Sequence, residues 1–352
     1  MVRSKPSAAH LALVRAIEER GREATTTQVE RWQQKGWLPK AAAWFDPASP
    51  TILPLIMDRA LWLASNARAG RSIGWWAWVF WAVDETPDSV QRLREALVTA
   101  LKRPLSRAGI ERIPTGNSNQ AFQARTDAAA KMLTNRRVPR RDLDATLRAH
   151  AADAGLELPR LPGSALPNVS HWALMDLGAR LLLGGAADIG MEDLLEALAR
   201  AMPDHTEAIE HLREAHRQAE LAGTDLLAQH PLAQGVPGMV RTVETADDRD
   251  LCHAVRTCTR ATVVLKALMW RATDEPMIMV LLARDVMWEQ WARVGGITPE
   301  GTPGLAAVAI NTFQYLTMPE WATDLGRYLS FMDNLLVACH EPPGTPGSGM
   351  EP

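Results

Sequence analysis

The chain has 352 residues, of which 47% are hydrophobic and 22% are charged. This composition is typical of globular proteins and excludes a chain dominated by disordered segments. The net charge of −3 conceals an asymmetry, because residues 1–150 contain 24 Lys and Arg against 14 Asp and Glu, whereas residues 151–352 contain 14 against 27. We therefore expect the first part, but not the second, to meet a polyanion.

The cysteines and the apolar runs predict a cytoplasmic protein. Three cysteines, Cys252, Cys258 and Cys339, give no disulfide framework and suit a reducing compartment. The longest apolar run, Ile73 to Val83, has 11 residues, whereas a membrane-spanning helix needs about 20. The N-terminus lacks the apolar segment of a signal peptide. We expect no membrane partner.

Hydrophobic periodicity predicts an all-α fold. Apolar residues recur at spacings of three and four along most of the chain, as in Leu93, Leu97 and Leu101. No series of alternating strands interrupts this pattern. We predict an N-terminal winged-helix-like domain followed by a helical bundle domain.

Residues 8–83 carry a particular order of predicted elements. A helix over Ala8 to Glu19 precedes a short helix over Gln28 to Lys35, for which Thr25, Thr26 and Thr27 offer an N-cap. Gly36 ends the second helix, and Pro39 prevents it from resuming. The remaining predicted elements are a loop or small β wing over Lys40 to Pro50 and helices over Ile52 to Ala67 and Ile73 to Val83.

This order resembles the winged-helix DNA-binding domain of the MerR family, over about a fifth of the chain. Val29, Trp32 and the run Gly36-Trp37-Leu38-Pro39 are similar to the residues that close the recognition helix of that family, and Gly70-Arg71-Ser72-Ile73 stands where the family has a turn between its last two helices. The chain departs from the family at Glu30, where an arginine is usual. The resemblance implies a DNA-binding regulator.

The predicted recognition helix carries side chains suited to duplex DNA. Gln28, Arg31 and Lys35 follow a spacing that places them on one helix face. Gln and Arg are the residue types that match adenine and guanine edges in the major groove. Three further residues, Thr25, Thr27 and Lys40, are predicted to meet backbone phosphates.

A second basic segment lies further along the chain. Arg136, Arg137, Arg140 and Arg141 fall within six positions, which resembles an arm that follows a phosphate backbone. The alternative is a solvated loop whose arginines complement the C-terminus of a helix. We assign residues 84–154 to a basic extension of helices and loops.

A Pro-rich break at 155–170 precedes the acidic half of the chain. We predict an acidic helical bundle over 171–340 and a disordered tail over 341–352. In the MerR family the part beyond the DNA-binding domain senses a ligand or forms a dimer. The resemblance therefore implies a homo-oligomer and a small-molecule or protein effector for this half.

Two sequence features could indicate a binding or catalytic cavity. Asp247-Asp248-Arg249-Asp250 is similar to the aspartate-rich metal motif of helical terpene cyclases, but the second magnesium motif of those enzymes does not follow. An acidic N-cap explains the run better. Trp75, Trp78 and Trp81 repeat at helical spacing, which favours a place in the core. We predict no catalytic residue, metal site or cofactor.

The leading hypothesis is a cytoplasmic DNA-binding regulator or accessory protein, and the Ala- and Arg-rich composition suggests a bacterial genome of high GC content. Two alternatives stay open. One is a helical protein-interaction module from a mobile element or phage-like locus, without DNA contact. The other is a helical enzyme of terpene-cyclase-like shape.

Overall fold

The computed structural model describes residues 7–67, 73–134, 167–201, 206–229, 231–274 and 305–338. Within these ranges the chain forms fourteen α-helices and no β-strand, so the prediction of an all-α fold is confirmed. The helices are α1 (Ala8–Glu18), α2 (Thr26–Gln34), α3 (Pro54–Asn66), α4 (Trp76–Asp84), α5 (Pro87–Arg107), α6 (Asn119–Thr134), α7 (Pro167–Gly184), α8 (Met191–Ala201), α9 (Thr206–Leu221), α10 (Leu226–Gln229), α11 (Gly235–Thr245), α12 (Asp248–Asp274), α13 (Leu305–Thr317) and α14 (Pro319–Ala338).

The chain divides into two compact units, residues 1–100 together with 243–352, and residues 101–242. This division differs from the domain bounds predicted at 84 and near 160, because α12 packs against α4. Arg256 of α12 donates a hydrogen bond to the Ala82 carbonyl oxygen at 3.3 Å and forms an ion pair with Glu85. The predicted tail and most of the Pro-rich break lie outside the described residues, so the predicted domains stay a prediction.

Four helices are present where four were predicted between residues 8 and 83, with shifted starts. Helix α2 begins at Thr26 because Thr25 is its N-cap. Helix α3 begins at Pro54, since the preceding Ile52 forms an antiparallel β-bridge with Phe45. Helix α4 begins at Trp76, after Gly74 in the left-handed region. The predicted turn between α3 and α4 falls largely outside the described residues.

The turn at Gly36 ends α2 and returns the chain to the core. Gly36 has a φ of +67°, and its N–H donates to the Gln33 carbonyl at 2.9 Å while the Trp37 N–H donates to the Trp32 carbonyl at 2.8 Å. These two bonds form a Schellman motif, which satisfies carbonyl groups that the end of a helix leaves unpaired. Trp37 and Leu38 are buried as a result.

Gly36 is also required by the space around it. A Cβ atom at this position would lie 3.0 Å from Trp81 Nε1 and 3.2 Å from Arg92 Cδ. The side chains of α4 and α5 therefore pack directly against the backbone at the end of α2. Both the φ angle and this close approach disfavour a larger residue.

A buried ion pair joins α3 to the end of α4. The side chains of Arg59 and Asp84 are 3% and 12% exposed. Arg59 Nη1 donates to Asp84 Oδ2 at 3.0 Å, and Nη2 lies 2.8 Å from Oδ1. Arg59 Nη1 also donates to the Trp37 carbonyl oxygen at 3.4 Å, and the guanidinium lies 4.8 Å from the ring centroid of Phe80. The bidentate pair thus holds α3, α4 and the segment after α2 in one arrangement.

The tryptophans of α4 and its approach are mostly core residues. Trp75 and Trp78 are buried, which confirms their predicted place, whereas Trp81 is only half-buried. Trp75 stacks on Trp76 with a centroid distance of 4.6 Å, and Trp76 lies 4.8 Å from Trp62 of α3. These rings contribute to the packing of α4 against α3.

A second buried ion pair stabilises the unit of residues 101–242. Arg125 Nη2 donates to Asp188 Oδ1 at 2.6 Å, and Arg125 Nη1 donates to the carbonyl oxygens of Pro114 and Gly116 at 3.0 and 2.9 Å. The hydrogen bond with Asp188 raises the pKa of Arg125. A Cβ atom on Gly184 would overlap the Asp188 carboxylate, so this glycine makes room for the ion pair.

The two requirements at Gly36 can be separated by substitution. Gly21 has a φ of +71° with no atom within 4 Å of the position of a Cβ, whereas Gly36 combines a similar φ with crowding. Left-handed backbone costs an L-residue about 1–2 kcal/mol. We expect Gly21→Ala to lower the free energy of unfolding by about that amount, and Gly36→Ala to lower it further. Urea denaturation followed by circular dichroism measures both, and equal losses would contradict the packing described for Gly36.

Candidate nucleic-acid interface

Helix α2 is buried on one face and open to solvent on the other. Val29 and Trp32 pack into the core. Successive helix residues are rotated by about 100°. Residues spaced by three, four and seven positions therefore share the face opposite Val29 and Trp32. The exposed residues on this face and at its C-terminal end are Thr27, Arg31, Gln34 and Lys35.

A buried imidazole holds the inner flank of α2. His10 of α1 forms a hydrogen bond from Nε2 to Gln33 Oε1 at 3.0 Å, and its Nδ1 is hydrogen-bonded to the Ser7 hydroxyl. The same ring meets Trp44 edge-on, with a centroid distance of 5.2 Å. One side chain therefore fixes α2 relative to both α1 and the segment that follows α2.

The segment between α2 and α3 is a short hairpin closed by the bridge between Phe45 and Ile52. Its anchor is Trp44, which is fully buried and donates from Nε1 to the Pro39 carbonyl oxygen at 2.8 Å. The Asp46 carboxylate accepts from the Ala48 N–H at 2.8 Å and shapes the tip. The hairpin is thus tied to the end of α2.

Thr25 and Gln28 form a capping box at the start of α2. Thr25 Oγ1 accepts from the Gln28 N–H at 3.2 Å, and Gln28 Oε1 accepts from the Thr25 N–H at 2.8 Å. This reciprocal pair satisfies two backbone donors of the first turn. The side-chain oxygen Oε1 of Gln28 is therefore occupied by the cap. The side-chain Nε2 group of Gln28 is still available to a ligand.

Arg31 and Lys35 are exposed cations on the open face. Among the described residues Arg31 has no ion-pair partner, whereas Lys35 Nζ lies 4.3 Å from the ring centroid of Trp37. The half-buried Glu30 is about 100° around the helix from Arg31, at the other edge of the open face. The three residues predicted to share one face, Gln28, Arg31 and Lys35, thus lie along one edge of α2.

Lys40 lies beside an acidic residue of a distant segment, Asp88. Its Nζ is 3.7 Å from Asp88 Oδ2 at the start of α5, and the two side chains are 88% and 78% exposed. An ion pair this exposed contributes little to stability. The arginine cluster Arg136, Arg137, Arg140 and Arg141 lies outside the described residues.

The structure places one further cation, which the sequence did not indicate, beside the end of α2. Arg92 of α5 is exposed and lies against Gly36, 56 positions earlier in the chain. The contact is tertiary and depends on the left-handed turn at Gly36, so no local pattern indicates it.

The aspartate-rich run of the enzyme alternative is used in helix capping, as predicted. Asp247 Oδ1 accepts from the backbone N–H groups of Arg249 and Asp250 at 2.9 and 3.3 Å, and Asp248 Oδ1 accepts from Arg94 Nη2 at 2.6 Å. No group of three or more metal-ligating side chains occurs in the part of the chain that the structure describes. Every helix in the described ranges is too short or too polar to span a lipid bilayer.

Comparison of the chain with models of protein families, with curated proteins and with solved structures found no match. The resemblance of residues 8–83 to the MerR domain therefore stays a hypothesis. It depends on the order of the helices, on the turn at Gly36 and on the exposed side chains of α2.

Stability measurements can separate capping by Thr25 from any role in binding a phosphate. Replacing an N-cap threonine by alanine costs about 1 kcal/mol. We expect Thr25→Ala to lower the free energy of unfolding by about this amount and Thr25→Ser to retain it. The matched control is Thr27→Ala, whose exposed side chain makes no capping bond. Equal stability of the Thr25→Ala and Thr27→Ala variants would contradict the cap.

Proposed function

We propose that the chain is a DNA-binding regulator or accessory protein that places the open face of α2 in the major groove of duplex DNA. The observation that carries the proposal is the pair of exposed cations, Arg31 and Lys35, on a helix whose other face is fixed. The His10 contacts and the Gly36 turn hold that helix at its inner flank and its C-terminal end. A rigid helix that presents polar groups loses little entropy on binding.

The residue types of the open face suit both base-edge contacts and backbone phosphate contacts in DNA recognition. Arg31 can bind the O6 and N7 atoms of guanine with its two-pronged guanidinium, and the Nε2 amide of Gln28 can donate to a base edge. Lys35, at the C-terminal end of the helix, suits a backbone phosphate, and phosphate contacts supply sequence-independent affinity. Glu30, at the other edge, can accept from the amino group of cytosine.

The helices of the acidic half support a role in regulation. Helix α12 belongs to the same compact unit as α2, and Arg94 of α5 donates to the Ala246 carbonyl oxygen at 3.0 Å and to Asp248 at the start of α12. Because α12 also contacts α4 through Arg256, a ligand or a second copy bound to these helices could alter the setting of the DNA-binding face. An effector and a homo-oligomer are part of the proposal on this ground.

The binding face is tested by fluorescence anisotropy of the full chain with labelled duplex DNA at about 50 mM salt. Loss of a bidentate Arg–guanine contact costs about 1–3 kcal/mol. We expect Arg31→Ala to weaken specific binding by that amount, and Lys35→Ala to reduce the slope of log Kd against log salt by about 1. The matched control is Arg327→Ala on α14, which removes a cation that is 79% exposed and should leave both quantities unchanged.

Two results would contradict the proposed function. One is a wild-type chain that retains no duplex at micromolar concentration. The other is an Arg31→Ala, Lys35→Ala double variant that binds duplex as the wild type does. A stable protein partner in pull-down, together with an absence of nucleic acid in the purified sample, would instead support the interaction module.

A further inference from the structure

We infer that the turn at Gly36 forms a binding site for a backbone phosphate, with Arg92 as its main ligand and Lys35 and Lys40 at its sides. The inference rests on the proposed function and names a second contact region outside the predicted recognition helix. The ligand group is a phosphodiester of duplex DNA. The site extends the interface from α2 to the start of α5.

Cations of α2 and α5 lie at this turn, and Lys40 lies beside α5 one helical turn away. Lys35 directly precedes Gly36, and Arg92 Cδ and Nε lie 3.2 and 3.3 Å from the position that a Cβ of Gly36 would take. Lys40 Nζ is 3.7 Å from Asp88, which lies one helical turn before Arg92 on the same face of α5. The first turns of α5 therefore lie along the segment from Gly36 to Lys40.

The Arg92 guanidinium is not needed to complete the fold around it. Arg92 forms no ion pair or hydrogen bond with any residue that the structure describes. A cation at the C-terminus of a helix often binds the last carbonyl groups, but at α2 the Trp32 and Gln33 carbonyls already accept from the backbone N–H groups of Trp37 and Gly36. The Arg92 guanidinium is planar and permanently charged, and it is not needed to pair these carbonyls. It is therefore suited to bind a phosphate.

A buried hydrogen-bond donor of α4 lies beside the same turn. Trp81 Nε1 is buried and unpaired within the described part of the chain, and it lies 3.0 Å from the position of a Gly36 Cβ. A buried donor left unpaired costs free energy. Because Arg92 lies against the same point, the proposed site places this N–H beside the main phosphate ligand.

Asp88 is the acidic group that opposes the site. Its carboxylate lies beside Lys40, but both side chains are almost fully solvated, so the pair is weak. Phosphate would compete with Asp88 for Lys40. The site therefore predicts opposite effects for two substitutions one helical turn apart on α5.

The test uses the full chain, a labelled duplex and anisotropy titrations over a range of salt concentrations. At about 0.1 M salt each phosphate contact contributes about fivefold to tenfold in affinity and about 0.9 to the log–log salt slope. We expect Arg92→Ala to weaken binding about fivefold to tenfold, and to flatten the salt slope by about 0.9, for all duplex sequences. We expect Asp88→Asn to strengthen binding. Arg327→Ala, which removes another exposed cation on α14, should change neither.

Each result is decisive when thermal stability is measured alongside. If the wild type and Arg92→Ala bind equally while Arg31→Ala weakens binding, this inference is overturned and the proposed function stands. If the wild type does not bind duplex, both are overturned. A lower melting temperature with unchanged affinity for Arg92→Ala would show a structural role and would also overturn the phosphate site.

Discussion

The left-handed turn at Gly36 is the constraint on which the geometry of the N-terminal region depends. It ends α2 with a Schellman motif and turns Trp37 and Leu38 into the core. The Trp37 carbonyl then meets Arg59, whose ion pair with Asp84 joins α3 to α4. Because the turn has no side chain, α4 and α5 approach the backbone of α2 directly. The same residue thus positions the exposed helix and brings a cation of α5 to its end.

Charge explains why this surface, and not the acidic half, is the candidate interface. The positive balance of residues 1–150 is not spread evenly, since Arg59, Arg94 and Arg125 are engaged in ion pairs and carbonyl contacts within the fold. Arg31, Lys35 and Arg92 have no ion-pair partner among the described residues. Cations of this second kind can neutralise phosphates without first breaking internal bonds, and Lys40 would lose only a solvated pair with Asp88.

Sequence patterns predicted what is local, and failed where the fold brings distant residues together. A threonine cap before α2, the end of α2 at Gly36 and an acidic cap before α12 follow from residue types at short spacing. The structure confirms these three features and assigns the first cap to Thr25 among the three candidate threonines. The start of α3 was predicted too early because β-bridge pairing at Ile52 has no local signal. The packing of α12 on α4 and the place of Arg92 depend on contacts between segments far apart in the chain, which periodicity does not reveal.

Methylation interference on a duplex bound by the full chain tests directly whether α2 lies in the major groove. Dimethyl sulfate marks guanine N7 in the major groove and adenine N3 in the minor groove, so one experiment distinguishes the two grooves. If the open face of α2 lies in the major groove, DNA methylated at particular guanine N7 positions will be depleted from the bound fraction. Bound DNA that shows no depletion, or depletion at adenine N3 alone, would contradict the account.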